Sequence, residues 1–181
     1  MSRAPSVAAF LALVLLLAAC GGASTGSTEV SPFPPPDDLT PPPDAPSDGV
    51  MSDQERAHAL RVLELTNRER TSRGLPALAW DDGAAGVAYA HSLDMDVRNF
   101  FDHTNPDGEL PWDRLEADGI TYSTAGENIA WGYPSPEAVM DGWMNSDGHR
   151  ANILRTSFTR LGVGVHVGSD GVYWTQVFFT P

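Results

Sequence analysis

Apolar positions change their spacing three times along the chain, and each change marks a different kind of segment. Val7 to Ala19 is an uninterrupted apolar run behind a single positive charge, Arg3. It is shorter than the roughly 20 residues of a membrane-spanning helix and reads as a secretory signal over residues 1–19. From Gly21 to Val50 apolar periodicity vanishes, and eight of the fifteen prolines fall there. A segment with so few amide donors and no apolar face cannot build a core, so residues 20–50 are expected to form a Pro-rich disordered linker. Periodicity returns at Met51, and residues 51–181 are expected to fold as one domain that buries about two-thirds of its unfolded surface.

Within that domain the helical signals come first. Ser52-Asp53-Gln54-Glu55 has the spacing of a capping box, and the helix it opens is predicted to turn Leu60, Val62 and Leu63 inward until Gly74, with Pro76 preventing continuation. Asp81 or Asp82 caps a second helix, whose face of Ala84, Ala85, Ala88, Leu93 and Val97 is narrow enough to lie close to another element. Asn105-Pro106-Asp107-Gly108 is a turn, Pro111 begins a short helix ending near Gly119, and Ser135-Pro136 opens a helix to about Met144. The period then shortens to two. Leu161 to Val167 alternates Val163, Val165 and Val167 with glycine or His166, and after Gly168-Ser169-Asp170-Gly171 the run Val172 to Phe179 is apolar on both faces. That hairpin needs helices above and below it. The expected fold is therefore α+β, a three-layer α/β/α sandwich on a central antiparallel sheet, with Ile120–Tyr122 and Asn128–Ala130 as candidate further strands.

Composition alters this picture in three places. The only cysteine, Cys20, follows Leu17-Ala18-Ala19 as in a bacterial lipobox, so it is the expected lipid attachment site; as a lone thiol it cannot form an internal disulfide. All eleven basic residues are arginine, and from Met51 onward nineteen acids face ten arginines, a net charge of -9. Such a surface repels phosphate backbones, which excludes nucleic acid as an expected partner. Finally, Gly22-Ala23-Ser24-Thr25-Gly26 spells a nucleophile elbow but lacks the strand and helix that would make it one.

Three side chains carry the candidate chemistry. His103 follows Phe100-Phe101-Asp102 where the second helix ends, Glu127 enters an apolar run between Gly126 and Asn128, and His149 follows the turn Asn145-Ser146-Asp147-Gly148. A carboxylate heading inward requires a partner, and two imidazoles with one carboxylate suit either zinc-like cations or acid/base work. Asp102 reads as a turn residue and not as the carboxylate orienting His103, while His58, His91 and His166 read as structural.

The ordered blocks Asn67-Arg68-Glu69-Arg70, Leu75-Pro76-Ala77-Leu78, Ala90-His91-Ser92, Phe101-Asp102-His103-Thr104, Gly126-Glu127-Asn128-Ile129, Trp143-Met144-Asn145-Ser146, Gly148-His149-Arg150-Ala151-Asn152 and Tyr173-Trp174-Thr175-Gln176 resemble the bacterial branch of the CAP superfamily. This is the SCP-like group of cysteine-rich secretory proteins, antigen 5 and pathogenesis-related 1. The resemblance implies an α/β/α sandwich whose cavity holds a His-Glu-Glu-His tetrad able to bind a divalent metal such as zinc. It places His103, Glu127 and His149 in three of the four positions and Ser146 in the fourth, lining the cavity without a carboxylate. The expectation is an extracytoplasmic protein, lipid-anchored to a bacterial membrane through Cys20, that binds a lipid, another small molecule or a partner protein. Two alternatives stand beside it: a metal-dependent peptidase or esterase with Glu127 as general base, and a structural or adhesive envelope domain.

Overall fold

The computed structural model describes residues 50–181. The signal sequence, Cys20 and nearly all of the Pro-rich linker lie outside them. Nine elements follow in the order α1 (Asp53–Thr71), β1 (Ala79–Trp80), α2 (Asp82–Val97), α3 (Pro111–Ala117), β2 (Thr124–Trp131), α4 (Pro136–Met144), α5 (Asp147–Ile153), β3 (Arg160–Gly168) and β4 (Gly171–Thr180). The sheet order is β1-β3-β4-β2. The β3–β4 hairpin and the β2–β4 pair are antiparallel, with Glu127 opposite Val177 and Gly162 also opposite Val177 across the central strand. Helix α2 covers one sheet face, while α1, α4 and α5 cover the other. The three-layer α/β/α sandwich is thus the fold, with β2 as an edge strand.

The caps are those the sequence predicts. Ser52 Oγ accepts from Glu55 N–H at 3.3 Å and Glu55 Oε2 accepts from Ser52 N–H at 2.8 Å, while Asp81 caps α2 through Ala84 N–H at 3.0 Å. Glu55 is buried, and its other oxygen accepts from Val167 N–H at 2.9 Å, tying α1 to β3. On the opposite face the backbone of β3 touches α2. A Cβ on Gly162 would stand 2.2 Å from Ala84 C, and one on Gly164 would stand 2.1 Å from Tyr89 N. The alanine face of α2 and the glycines of β3 therefore form one close-packed seam.

Four details differ from the sequence reading. Leu60 is exposed, because the buried stripe of α1 is Ala59, Val62, Leu65 and Thr66, and Leu60 stands about 100° from Ala59 around the helix. Val97, the last residue of α2, is 71% exposed, since the buried face closes with Met95. Residues Ile120–Tyr122 are not a strand; the pairing with β4 begins at Thr124, after Gly119 has turned the chain with a positive φ. The sheet is also not wholly antiparallel. Two-residue β1 pairs parallel with β3, Ala79 opposite Arg160 and Trp80 opposite Leu161, a bridge too short to carry periodicity.

Candidate functional site

Along β2 the side chains alternate between layers. Asn128 faces the α1 side, where it bonds to Gln176 at 3.0 Å, whereas Glu127 faces the α2 side. Glu127 is buried, with 2% of its side chain exposed. Its two oxygens take different partners. Oε1 accepts from His103 Nδ1 at 2.8 Å and Oε2 accepts from Arg114 Nη2 at 2.8 Å. The sequence demanded a partner for an inward carboxylate; here it receives two.

Arg114, on α3, also donates through Nη1 to the carbonyls of His103 at 3.0 Å and Glu109 at 3.1 Å. One guanidinium therefore holds the buried carboxylate and the loop that presents His103. No local signal marked it, because an arginine beside Leu115 on a short helix has the pattern of a solvated face. His91, read as structural, belongs to the same cluster. Its side chain is fully buried, and Nε2 donates to the Asp102 carbonyl at 3.0 Å and lies 4.0 Å from Glu127 Oε1. Asp102 is the expected turn residue, its Oδ1 accepting from Thr104 N–H at 2.8 Å. His58 stacks on Trp174 with ring centroids 6.1 Å apart, and His166 Nε2 pairs with Asp96 at 2.9 Å, so both join elements of the core.

His149 arrives from the other layer. It lies in the first turns of α5, which β2 grips through Asn128 Nδ2, donating to the His149 carbonyl at 3.2 Å, and through Asn152 Nδ2, donating to the Glu127 carbonyl at 3.1 Å. The His149 ring makes no hydrogen bond among the described residues, and charge on His103 adds to burial in lowering its basicity. His103 and His149 thus flank the edge of β2 from opposite layers. Ser146 is half-buried and caps α5 without a side-chain bond. Asp147 points to solvent, 96% exposed, and pairs with Arg150, so it does not replace the missing carboxylate.

The donor set limits what a cation would find. A carboxylate only accepts, so Glu127 fixes the hydrogen of neutral His103 on Nδ1 and leaves the lone pair on Nε2. With both Glu127 oxygens engaged, two imidazoles remain. Among the described residues no group of three or more His, Cys, Asp or Glu converges on one point. Two free imidazoles are fewer than the three protein ligands of a catalytic zinc centre, so the donor set among the described residues does not make up such a centre.

These environments order the histidines by basicity. His103 is raised from 6.5, chiefly by its hydrogen bond to Glu127. His149 and His91 are lowered from 6.5, each chiefly by burial. On acidification His103 is expected to protonate ahead of His149 and His91, as ring resonances followed from about pH 8 to about pH 5 would report. The raised value means that His103 contributes stability below about 6.5 and loses it as pH rises through its folded value. His91 has the opposite sign: below about 6.5 the unfolded chain takes up a proton that the fold refuses, and stability falls. Protonation of His149 ahead of His103 would contradict this geometry.

A family model described as "CAP: Cysteine-rich secretory protein family" matches residues 63–178, more than half of the chain. The chain belongs to the CAP family. The Bacillus subtilis protein YkwD is 49% identical over 122 residues, 67% of this chain and 47% of YkwD. The Bacillus subtilis membrane protein YlbC is 40% identical over 136 residues, 75% of this chain and 38% of YlbC. Among solved structures, an extracellular SCP-domain protein from Bacillus anthracis is 37% identical with a TM-score of 0.67, over 73% of this chain and 45% of that one. This CAP-domain chain therefore spans less than half the length of each of these relatives. It is of the bacterial type, and no helix among its described residues is long and apolar enough to cross a membrane.

Proposed function

We propose that this CAP-domain protein is an extracytoplasmic binding module, held at a bacterial membrane by a lipid on Cys20, whose cleft takes a divalent cation, zinc foremost, between His103 and His149. The observation that carries the reading is the engagement of both Glu127 oxygens, one by His103 Nδ1 and one by Arg114. A carboxylate so held orients an imidazole and sets its tautomer, the role outer-sphere carboxylates play behind metal-ligating histidines. It is poorly placed to be the general base of a peptidase or esterase, and the set lacks the third protein ligand of catalytic zinc sites. A cation bound there would polarise an oxygen of a lipid, another small molecule or a partner protein. The acidic domain surface would concentrate cations and repel anions.

Metal content after dialysis against zinc tests the reading. One equivalent is expected on the protein, with loss of at least about tenfold in affinity for His103→Ala and for His149→Ala. Glu127→Gln should keep the metal more weakly. Hydrolysis of peptide or ester panels that disappears in Glu127→Gln while the metal stays would favour the hydrolase instead. Identical metal content in the protein and the His103→Ala/His149→Ala variant would leave only the structural, adhesive role.

A further inference from the structure

A cavity of about 500 Å³ lies between α2, α3 and the turn at Asn105–Glu109, within the size range of small-molecule sites. Its walls include Val87, Ala90, His91, Glu109, Arg114 and Asp118. Two of these carry buried nitrogens that no group among the described residues satisfies, His91 Nδ1 and Arg114 Nε. Both side chains are at least nine-tenths buried, and unpaired polar atoms at such depth are costly without a partner.

The chemistry of each orphan can be specified. His91 Nε2 faces only acceptors, the Asp102 carbonyl and Glu127 Oε1, so it carries the ring hydrogen, and burial favours the neutral ring. Nδ1 is therefore a lone pair seeking a donor. Arg114 Nε is a donor seeking an acceptor. At the rim, Arg98 pairs with both Asp94 and Asp107, whereas among the described residues the Glu109 side chain bonds only to neutral Asn105 and Asp118 forms no ion pair. Two uncompensated carboxylates favour a cation and repel an anion. The small apolar surface of Val87, Ala90 and Ala117 suits a short carbon skeleton.

We infer that the α2–α3 cavity is a second binding site, for a small organic cation that bears hydroxyl groups, of the amino-sugar or amino-alcohol class. Its ammonium pairs with the carboxylates of Glu109 and Asp118, and a hydroxyl, which both donates and accepts, answers the His91 and Arg114 nitrogens. The site does not depend on a metal in the cleft, although His91 and Arg114 connect the two through Glu127.

Glucosamine is the probe, titrated into the full-length isotope-labelled chain while amide resonances are followed. Saturable shifts centred on Ala90, Asn105 and Asp118 are expected, with millimolar affinity, about -4 kcal/mol. Glucose, which lacks the charge, and putrescine, which lacks the hydroxyls, should each bind more weakly. Asp118→Asn, an exposed change, should weaken glucosamine about fivefold. Ala90→Phe, on the exposed side of α2, should fill the cavity and abolish the shifts. Absence of saturable shifts, equal binding of glucose or putrescine, acetate binding at the same residues, or unaltered glucosamine binding in both variants would overturn the inference.

Discussion

Replacing Arg70 with methionine is expected to lower the unfolding free energy by about 3–5 kcal/mol, measured by urea denaturation. Arg70 is fully buried and forms no ion pair among the described residues. Its guanidinium instead donates to four backbone carbonyls: Pro76 at 2.9 Å, Ile153 at 2.8 Å, Arg155 at 2.9 Å and Phe158 at 3.4 Å. These lie on two separate loops and at the C-terminal end of α5. Methionine would fill the volume and leave the carbonyls unsatisfied in a dry environment. Lysine would keep the charge without the planar fork, so Arg70→Lys should recover only a minor part of the loss. Because α5 carries His149, the same change should also loosen the cleft. A loss below about 1 kcal/mol for Arg70→Met would show that water replaces the guanidinium at little cost.

The second large effect is expected at Gly164. Its missing Cβ is what lets α2 lie on β3, since an added methyl would stand 2.1 Å from Tyr89 N and 2.2 Å from Ala88 C, both backbone atoms that no rotamer change can move. Gly164→Ala should therefore push α2 off the sheet and cost upwards of about 3 kcal/mol, the upper end of overpacking penalties. Gly86 provides the contrast on the same helix. Nothing lies within 4 Å of a Cβ built there, so Gly86→Ala should be neutral or stabilise the helix by up to about 1 kcal/mol. Equal melting temperatures for Gly164→Ala and the unaltered protein would refute the close-packed seam.

Much of this architecture was legible in the chain. The capping box at Ser52, the proline-opened helices and the valine-glycine alternation of β3 are local signals with local causes, and they gave the right elements in the right order. The need of Glu127 for a partner was legible too, because a charged residue inside an apolar strand must find one, but which residues supply it, His103 and Arg114, was not. What escaped is what depends on two segments at once. Arg70 and Arg114 are arginines on helices, where burial cannot be told from solvation until the opposing loops are in place. The parallel bridge of Ala79–Trp80 to β3 has no period to read. Leu60 and Val97 are apolar residues whose helical phase, not their type, sends them to solvent. The alternation of β2 also has a consequence invisible in sequence: Glu127 on the edge strand faces the α2 layer, whereas His149 is carried by α5 in the other layer.

The claim that one cleft unites His103 and His149 is tested most directly by adding zinc while the ring resonances of all five histidines are recorded. Both rings are expected to move together and to saturate at one equivalent, while His58, bound to the Trp174 face, and His166, held by Asp96, stay in place. Independent saturation of His103 and His149 at different zinc concentrations, or perturbation of His166 ahead of both, would contradict it.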